Sequence, residues 1–223
     1  MGECKWCNRS GWFLQLSSGG LCNNCLPLVN MDASQRIRII NDSIKIVTES
    51  KNLDTRLSRL DLLLEHANAL LKYEQRGIRI MDPRPSYFIS KFGGMRDQII
   101  SESLDKDYES ASSKATVAPT ITSKVNALSK VLLKIREYKT KANHPESLEA
   151  LEKQVAAAIQ KYQLDGYLDA AQKAQFKGQK KKALDQYYEA LYLLKHDQVD
   201  DSLQKDQITL IESKITEMGG SIR

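Results

Sequence analysis

Between Asp32 and Gly77 the apolar residues fall three and four apart: Ile37, Ile40, Ile44 and Val47, then Leu57, Leu60, Leu64, Ala67 and Leu71. That step keeps one face of a 3.6-residue helix apolar. It predicts two amphipathic helices, over 32–51 and 54–76, with a short Asn52-Leu53 turn and Asp54 as N-cap. So short a link makes the two antiparallel neighbours. The seam over residues 37–71 also has coiled-coil spacing, so it buries its face within one molecule or, as the alternative, against a second copy in a homo-oligomer.

Gly77 closes the second helix, and the pattern breaks in IRIMDPRPSYFISKFGG. Asp82-Pro83 and Arg84-Pro85 disfavour helix, so an extended segment is expected there. One reading makes it a packed connector whose Tyr87, Phe88 and Phe92 cover the end of the hairpin. The other makes it a partner-binding loop carrying Arg79, Arg84, Tyr87 and Phe88, because aromatics and arginines concentrate binding energy.

A helix over 94–110 follows, and then the small, polar, proline-closed run ESASSKATVAPT, which predicts a linker over 111–120. Val125, Leu128, Leu132 and Ile135 predict a helix to about Ala142, and His144-Pro145-Glu146-Ser147 starts another. The domains expected are 1–30, a helical hairpin with its Pro/aromatic loop over 31–110, the linker, and a helical domain over 121–223. The fold class is mainly α.

The first thirty residues follow another rule. Cys4, Cys7, Cys22 and Cys25, the only cysteines, form two Cys-x-x-C pairs with fourteen residues between them. Each pair supplies two thiolates from one tight turn, and the intervening chain can return as a hairpin, so the four suit one tetrahedral Zn2+. WFLQL alternates like a short strand, and SSGG makes the turn back to LCNNC. A pair of disulfides or a redox Cys-x-x-C is the rival, set against the reduced thiols of a cytosolic chain and the lack of a thioredoxin-like βαβ context. Residues 4–30 resemble the treble-clef and zinc-ribbon group of zinc fingers, in which two such hooks around a β-hairpin share one ion. The resemblance implies a structural zinc, since four thiolates leave no position open for water. Trp6, Trp12, Phe13 and Leu14 are expected to pack around the site, or one tryptophan to stand out as an anchor for a partner.

Near the other end, DGYLDAAQKAQFKGQKKKALDQYYEALYLLKHD reads as helix, glycine turn, helix. It resembles one tetratricopeptide repeat (about 165–218) in Ala171 and Ala174 on the first helix, Gly178 at the turn, and Ala183, Tyr187, Ala190 and Leu191 on the second. The family's Trp and closing Pro are missing. The resemblance implies a helical, TPR-like scaffold that binds a peptide or protein, with Tyr187 and Tyr188 as candidate contacts.

Composition changes this picture little. A chain that is 41% hydrophobic and 27% charged suits a folded protein, and no signal peptide, myristoylation motif or membrane span is visible, so the cytoplasm is expected. The net charge of +5 is spread evenly: residues 1–31 carry +1, residues 32–104 carry +2 and the remainder +2. Even Lys180-Lys181-Lys182 points three ways on a helix, which weakens the electrostatic case for nucleic acid. His66, His144 and His196 have no partnering nucleophile in sequence, and no HExxH or phosphate-cradling glycine loop occurs. The function expected is non-enzymatic protein binding, by an adaptor, assembly factor or inhibitor. The alternative is a nucleic-acid-binding accessory protein using the zinc finger with Arg79, Arg84 and Arg96.

Overall fold

Apolar stripes at helical spacing become helices almost throughout the computed structural model, which describes residues 2–196 and 201–222. In chain order the elements are β1 (Gly2–Glu3), β2 (Ser10–Gly11), α1 (Cys25–Glu49), α2 (Leu53–Gln75), α3 (Pro85–Gly93), α4 (Met95–Val117), α5 (Ile121–Lys139), a 3-10 turn (Pro145–Leu148), α6 (Glu149–Phe176), α7 (Lys180–Lys195) and α8 (Asp201–Glu217). The chain divides into two compact units. One runs up to Ser103 and takes in Lys141–His144; the other comprises Leu104–Thr140 and the chain from Pro145 onward.

The first unit is built on the α1–α2 hairpin. Val29, Ala33, Ile40, Ser43 and Val47 of α1 face Leu53, Leu57, Leu60, Leu63, Ala67, Leu70 and Tyr73 of α2, all buried. The seam considered for a second copy is thus taken up inside one chain, with Leu63 and Leu70 at its centre where the pattern put Leu64 and Leu71. The cap of α2 is Asn52, whose side chain accepts from the Thr55 N–H at 2.9 Å. Asp54 lies in the first turn, where its charge suits the positive end of the helix. Gly77, at φ +67°, ends α2 as expected: the Ile78 N–H reaches back to the Tyr73 carbonyl and the Gly77 N–H to Glu74, a left-handed close that favours glycine.

The extended segment expected after Gly77 is shorter than the prolines suggested. Pro85 occupies the first turn of α3, where its missing N–H costs nothing, and the helix continues through SYFISKF. Ser86 anchors that start by donating from its N–H and hydroxyl to the Glu74 carboxylate, at 2.9 and 2.6 Å. Phe88 and Phe92 are buried in α3, which packs on α2, while Tyr87, the third aromatic of the packed-connector reading, is about half exposed.

One expected boundary in the second half moves. The run expected as a linker over 111–120 is helix as far as Val117, because Ala111 and Ala115 fall on the buried stripe of α4; only residues 118–120 join α4 to α5. Beyond the 3-10 turn, α6 runs unbroken for 28 residues, through Asp165-Gly166. Gly166 is a contact glycine there: a Cβ on it would meet Ile121 Cγ2 of α5 at 3.0 Å. After it, Gly178 (φ +71°) turns α6 into α7. The small Ala171, Ala174, Ala183 and Ala190 bring the two helices close, and Leu194, Ile208, Ile211, Ile215 and Met218 complete the core with α8. Among the described residues no helix is long and apolar enough to cross a membrane.

Candidate metal centre

Short-range backbone geometry brings the four cysteines together. The β1–β2 pair places Cys4 and Cys7 on one turn: the Cys4 N–H donates to the Arg9 carbonyl, and the Asn8 N–H returns to the Cys4 carbonyl, with Asn8 at φ +59°. Asn tolerates that left-handed conformation better than most side chains. The second turn follows Leu16–Cys22 pairing, and the Cys25 and Leu26 N–H groups both point at the Cys22 carbonyl as α1 begins. WFLQL itself forms no strand. Its alternation misleads because Trp12 and Phe13 sit in the turn after β2, and only Leu16 keeps a bridge.

All four ligand atoms lie within 4.8 Å of one another. Metal–sulfur bonds of about 2.3 Å at tetrahedral angles place thiolates roughly 3.8 Å apart. Cys7 Sγ and Cys22 Sγ stand at 3.9 Å, far outside bonding distance, and none of the four forms a disulfide. The site therefore has the donor set and the size for one divalent ion. Cys4, Cys22 and Cys25 are buried and Cys7 is exposed. The thiols are not equivalent. Burial pushes Cys4 up, but N–H groups of Cys7, Cys22 and Trp6 outweigh it and bring it to about 6; the Cys22 N–H lies 3.3 Å from its sulfur. Burial and then the neighbouring sulfurs push Cys25 up to about 12. Four thiols this close cannot all ionise without a cation among them, and an ion bound there would meet that need.

The first knuckle is fastened to the end of α2. The Trp6 ring lies 4.9 Å from the Tyr73 ring, tilted by 37°, and the Arg76 guanidinium sits over the Trp6 ring, 4.6 Å from its centroid. Arg76 also donates to the Trp6 carbonyl, and Lys5 Nζ donates to the Gly77 carbonyl at 2.8 Å. Tyr73 is itself held: its hydroxyl donates to Asp32 at 2.7 Å, beside Arg36 at 2.8 Å and Lys72 at 3.3 Å. A boundary at residue 30 is not found, since Cys25 opens α1 and Lys5 and Trp6 rest on α2. Local pattern could not reveal Tyr73 and Arg76 as partners of Trp6, which they meet across more than sixty residues of sequence, nor Asp32 as the group that holds Tyr73.

The other candidates separate clearly. Trp12 is 75% exposed and Phe13 99%, so these two do not pack around the cysteines. Arg79 is exposed and pairs with Asp82; Arg84 is exposed; Tyr87 is about half exposed, edge-on to the buried Phe88. Arg96 is engaged by Asp61 and by the Lys141 carbonyl at 3.0 Å. Tyr187 is buried in the α6–α7–α8 core, which corrects its assignment to a partner surface; Tyr188 stays partly exposed, with its hydroxyl tied to the Ser221 backbone at 3.0 Å. The histidines are likewise engaged: His66 lies 3.2 Å from Arg36, the His144 N–H donates to Asp97, and His196 stacks on Tyr192. No protein-family model, no curated protein and no solved structure matches the chain.

Proposed function

We propose that this is a non-enzymatic protein-interaction module in which a structural zinc holds out an aromatic anchor. The observation that carries the reading is the pairing of a four-thiol site with the two projecting residues Trp12 and Phe13. Four sulfur donors suit zinc over harder cations, and they fill a tetrahedral sphere, leaving the ion a role in shape. Zinc here fixes both hooks, and the chain between them carries the aromatics away from the core. From Ser10 to Met31 that chain bears no charged side chain. Depletion of charge with exposed aromatics is the composition of the centre of a protein–protein interface, where one or two such side chains dominate the affinity.

The helical second unit is the natural place for a second contact, as the repeat-like packing of α6 and α7 suggests, which makes an adaptor or assembly factor the preferred form. The nucleic-acid alternative has less support. Two of its three arginines, Arg79 and Arg96, are engaged with acids, and four thiolates around one Zn2+ add a net −2 beside Lys5 and Arg9. The test is affinity capture with wild-type protein and with Trp12→Ala/Phe13→Ala, zinc content being measured in both. A protein captured by the wild type and lost from a zinc-replete variant supports the reading. Equal capture overturns it, as does tight binding to duplex DNA, single-stranded DNA or RNA that collapses with salt.

A further inference from the structure

Two stripes of identical spacing face each other in the second unit. Asp107, Ser110, Ala111 and Lys114 on α4, and Ala127, Lys130, Val131 and Lys134 on α5, each step by three, one and three, and together they line a cleft of about 360 Å³. The short 118–120 link makes α4 and α5 antiparallel, so Asp107 stands opposite Lys134 and Lys114 opposite Ala127. The Lys134–Asp107 pair, at 2.5 Å, closes one end. The floor is apolar and small: Ala111, Ala127 and Val131 leave room where larger side chains would have filled the space between the helices. Each stripe spans eight residues, about 10 Å of helix, or two turns.

The charge on the rim selects the occupant. Asp107 is the one acid among the lining residues, and Lys134 already holds it. Lys114 and Lys130 are exposed and make no ion pair among the described residues. An apolar floor two turns long, with two uncommitted cations beside it, complements a helix carrying apolar residues on one side and carboxylates along its flanks. We infer that the α4–α5 cleft is a docking groove for an acidic amphipathic helix of a partner protein. The groove lies wholly within the second unit and does not depend on the zinc-held tip.

The probe is a synthetic 14-residue peptide with leucines at i, i+3, i+4 and i+7 and glutamates on the flanks. It is titrated against the full-length protein by fluorescence anisotropy at about 0.15 M salt. Two controls accompany it: a peptide of the same composition in permuted order, and one with lysine in place of glutamate. The acidic amphipathic peptide is expected to bind with a Kd on the order of 100 µM and the controls at least about fivefold more weakly. Lys114→Glu/Lys130→Glu, at exposed positions that should leave helix content unchanged, should weaken the acidic peptide at least about fivefold and improve the lysine peptide. Ala127→Gln keeps the charge and fills the floor, and should weaken binding as well. Trp12→Ala/Phe13→Ala should bind as the wild type does, so failure of the tip and failure of the groove are separable. The inference is overturned if the acidic peptide does not bind, if the permuted peptide binds equally, or if the charge reversal has no effect. It is also overturned if inorganic tripolyphosphate occupies the cleft while the amphipathic peptide does not.

Discussion

Removing the Trp6 ring separates two roles of the first cysteine knuckle: shaping the candidate metal site and gripping the hairpin. Trp6→Ala deletes a tilted aromatic contact with Tyr73 at 4.9 Å, worth about 0.5–1.5 kcal/mol beyond its area, and a cation over the ring at 4.6 Å, worth about 0.5–1 kcal/mol where water reaches it. With the ring area returned to solvent, the total should be about 2–3 kcal/mol. Arg76→Ala loses the same cation and also the bond to the Trp6 carbonyl, for about 1–2 kcal/mol. That carbonyl remains in Trp6→Ala, so the coupling between the two substitutions isolates the ring–guanidinium contact and should be about 0.5–1 kcal/mol. The assay is denaturant unfolding of the zinc-loaded single and double variants, with amide exchange over residues 2–24 to localise the loss. Substitutions that add within about 0.3 kcal/mol would rule out the ring–guanidinium contact, and undiminished protection of residues 2–24 in Trp6→Ala would rule out the grip of Trp6 on the hairpin.

Three further outcomes follow from the same contacts. Asp32 is pushed up by burial, but the Tyr73 hydroxyl, Arg36 and Lys72 outweigh this and hold its carboxyl below the usual range. Its charge therefore stabilises the hairpin above about pH 4, and the contribution is lost as pH falls through the lowered value. Asp32→Asn should cost about 1–2 kcal/mol at pH 7 and flatten the acid limb of the stability profile, and an unchanged limb would contradict the assignment. Gly166→Leu should cost about 1–3 kcal/mol by colliding with Ile121, and Ile121→Ala should recover part of it; unfolding with no such recovery would mean that the two residues do not meet. Leu191→Ala, in the buried α7 stripe, should cost roughly 2–5 kcal/mol, which a melting curve like the wild type's would disprove.

The helices were legible wherever one face stays apolar. Ile40, Val47, Leu57, Leu60 and Ala67 are core positions in pattern and in structure alike. The four ligands were legible because cysteine spacing reports a local turn. What escaped depends on distance or on weak composition. ESASSKAT looks like a linker because Ser and Thr outnumber apolar groups, yet Ala111 and Ala115 suffice for a buried stripe on α4. Gly166 costs helix propensity in mid-helix, but its missing side chain is what lets Ile121 approach. Tyr187 and Tyr188 are adjacent tyrosines with different fates: helical rotation turns one into the core and leaves the other at the C-terminal backbone. The grip of Lys5, Trp6 and Arg76 had no local signal, since its parts lie about seventy residues apart.

Native mass spectrometry of the intact chain, followed by amide exchange with and without a strong zinc chelator, bears most directly on a zinc that shapes the N-terminal hooks. One zinc per chain is expected. Its removal should abolish protection over residues 2–24, because binding supplies on the order of 10–16 kcal/mol to a segment with little core of its own, while α1 and α2 stay protected beyond the first turn of α1. A chain that binds no zinc, or whose first twenty-four residues stay equally protected without it, would contradict that role.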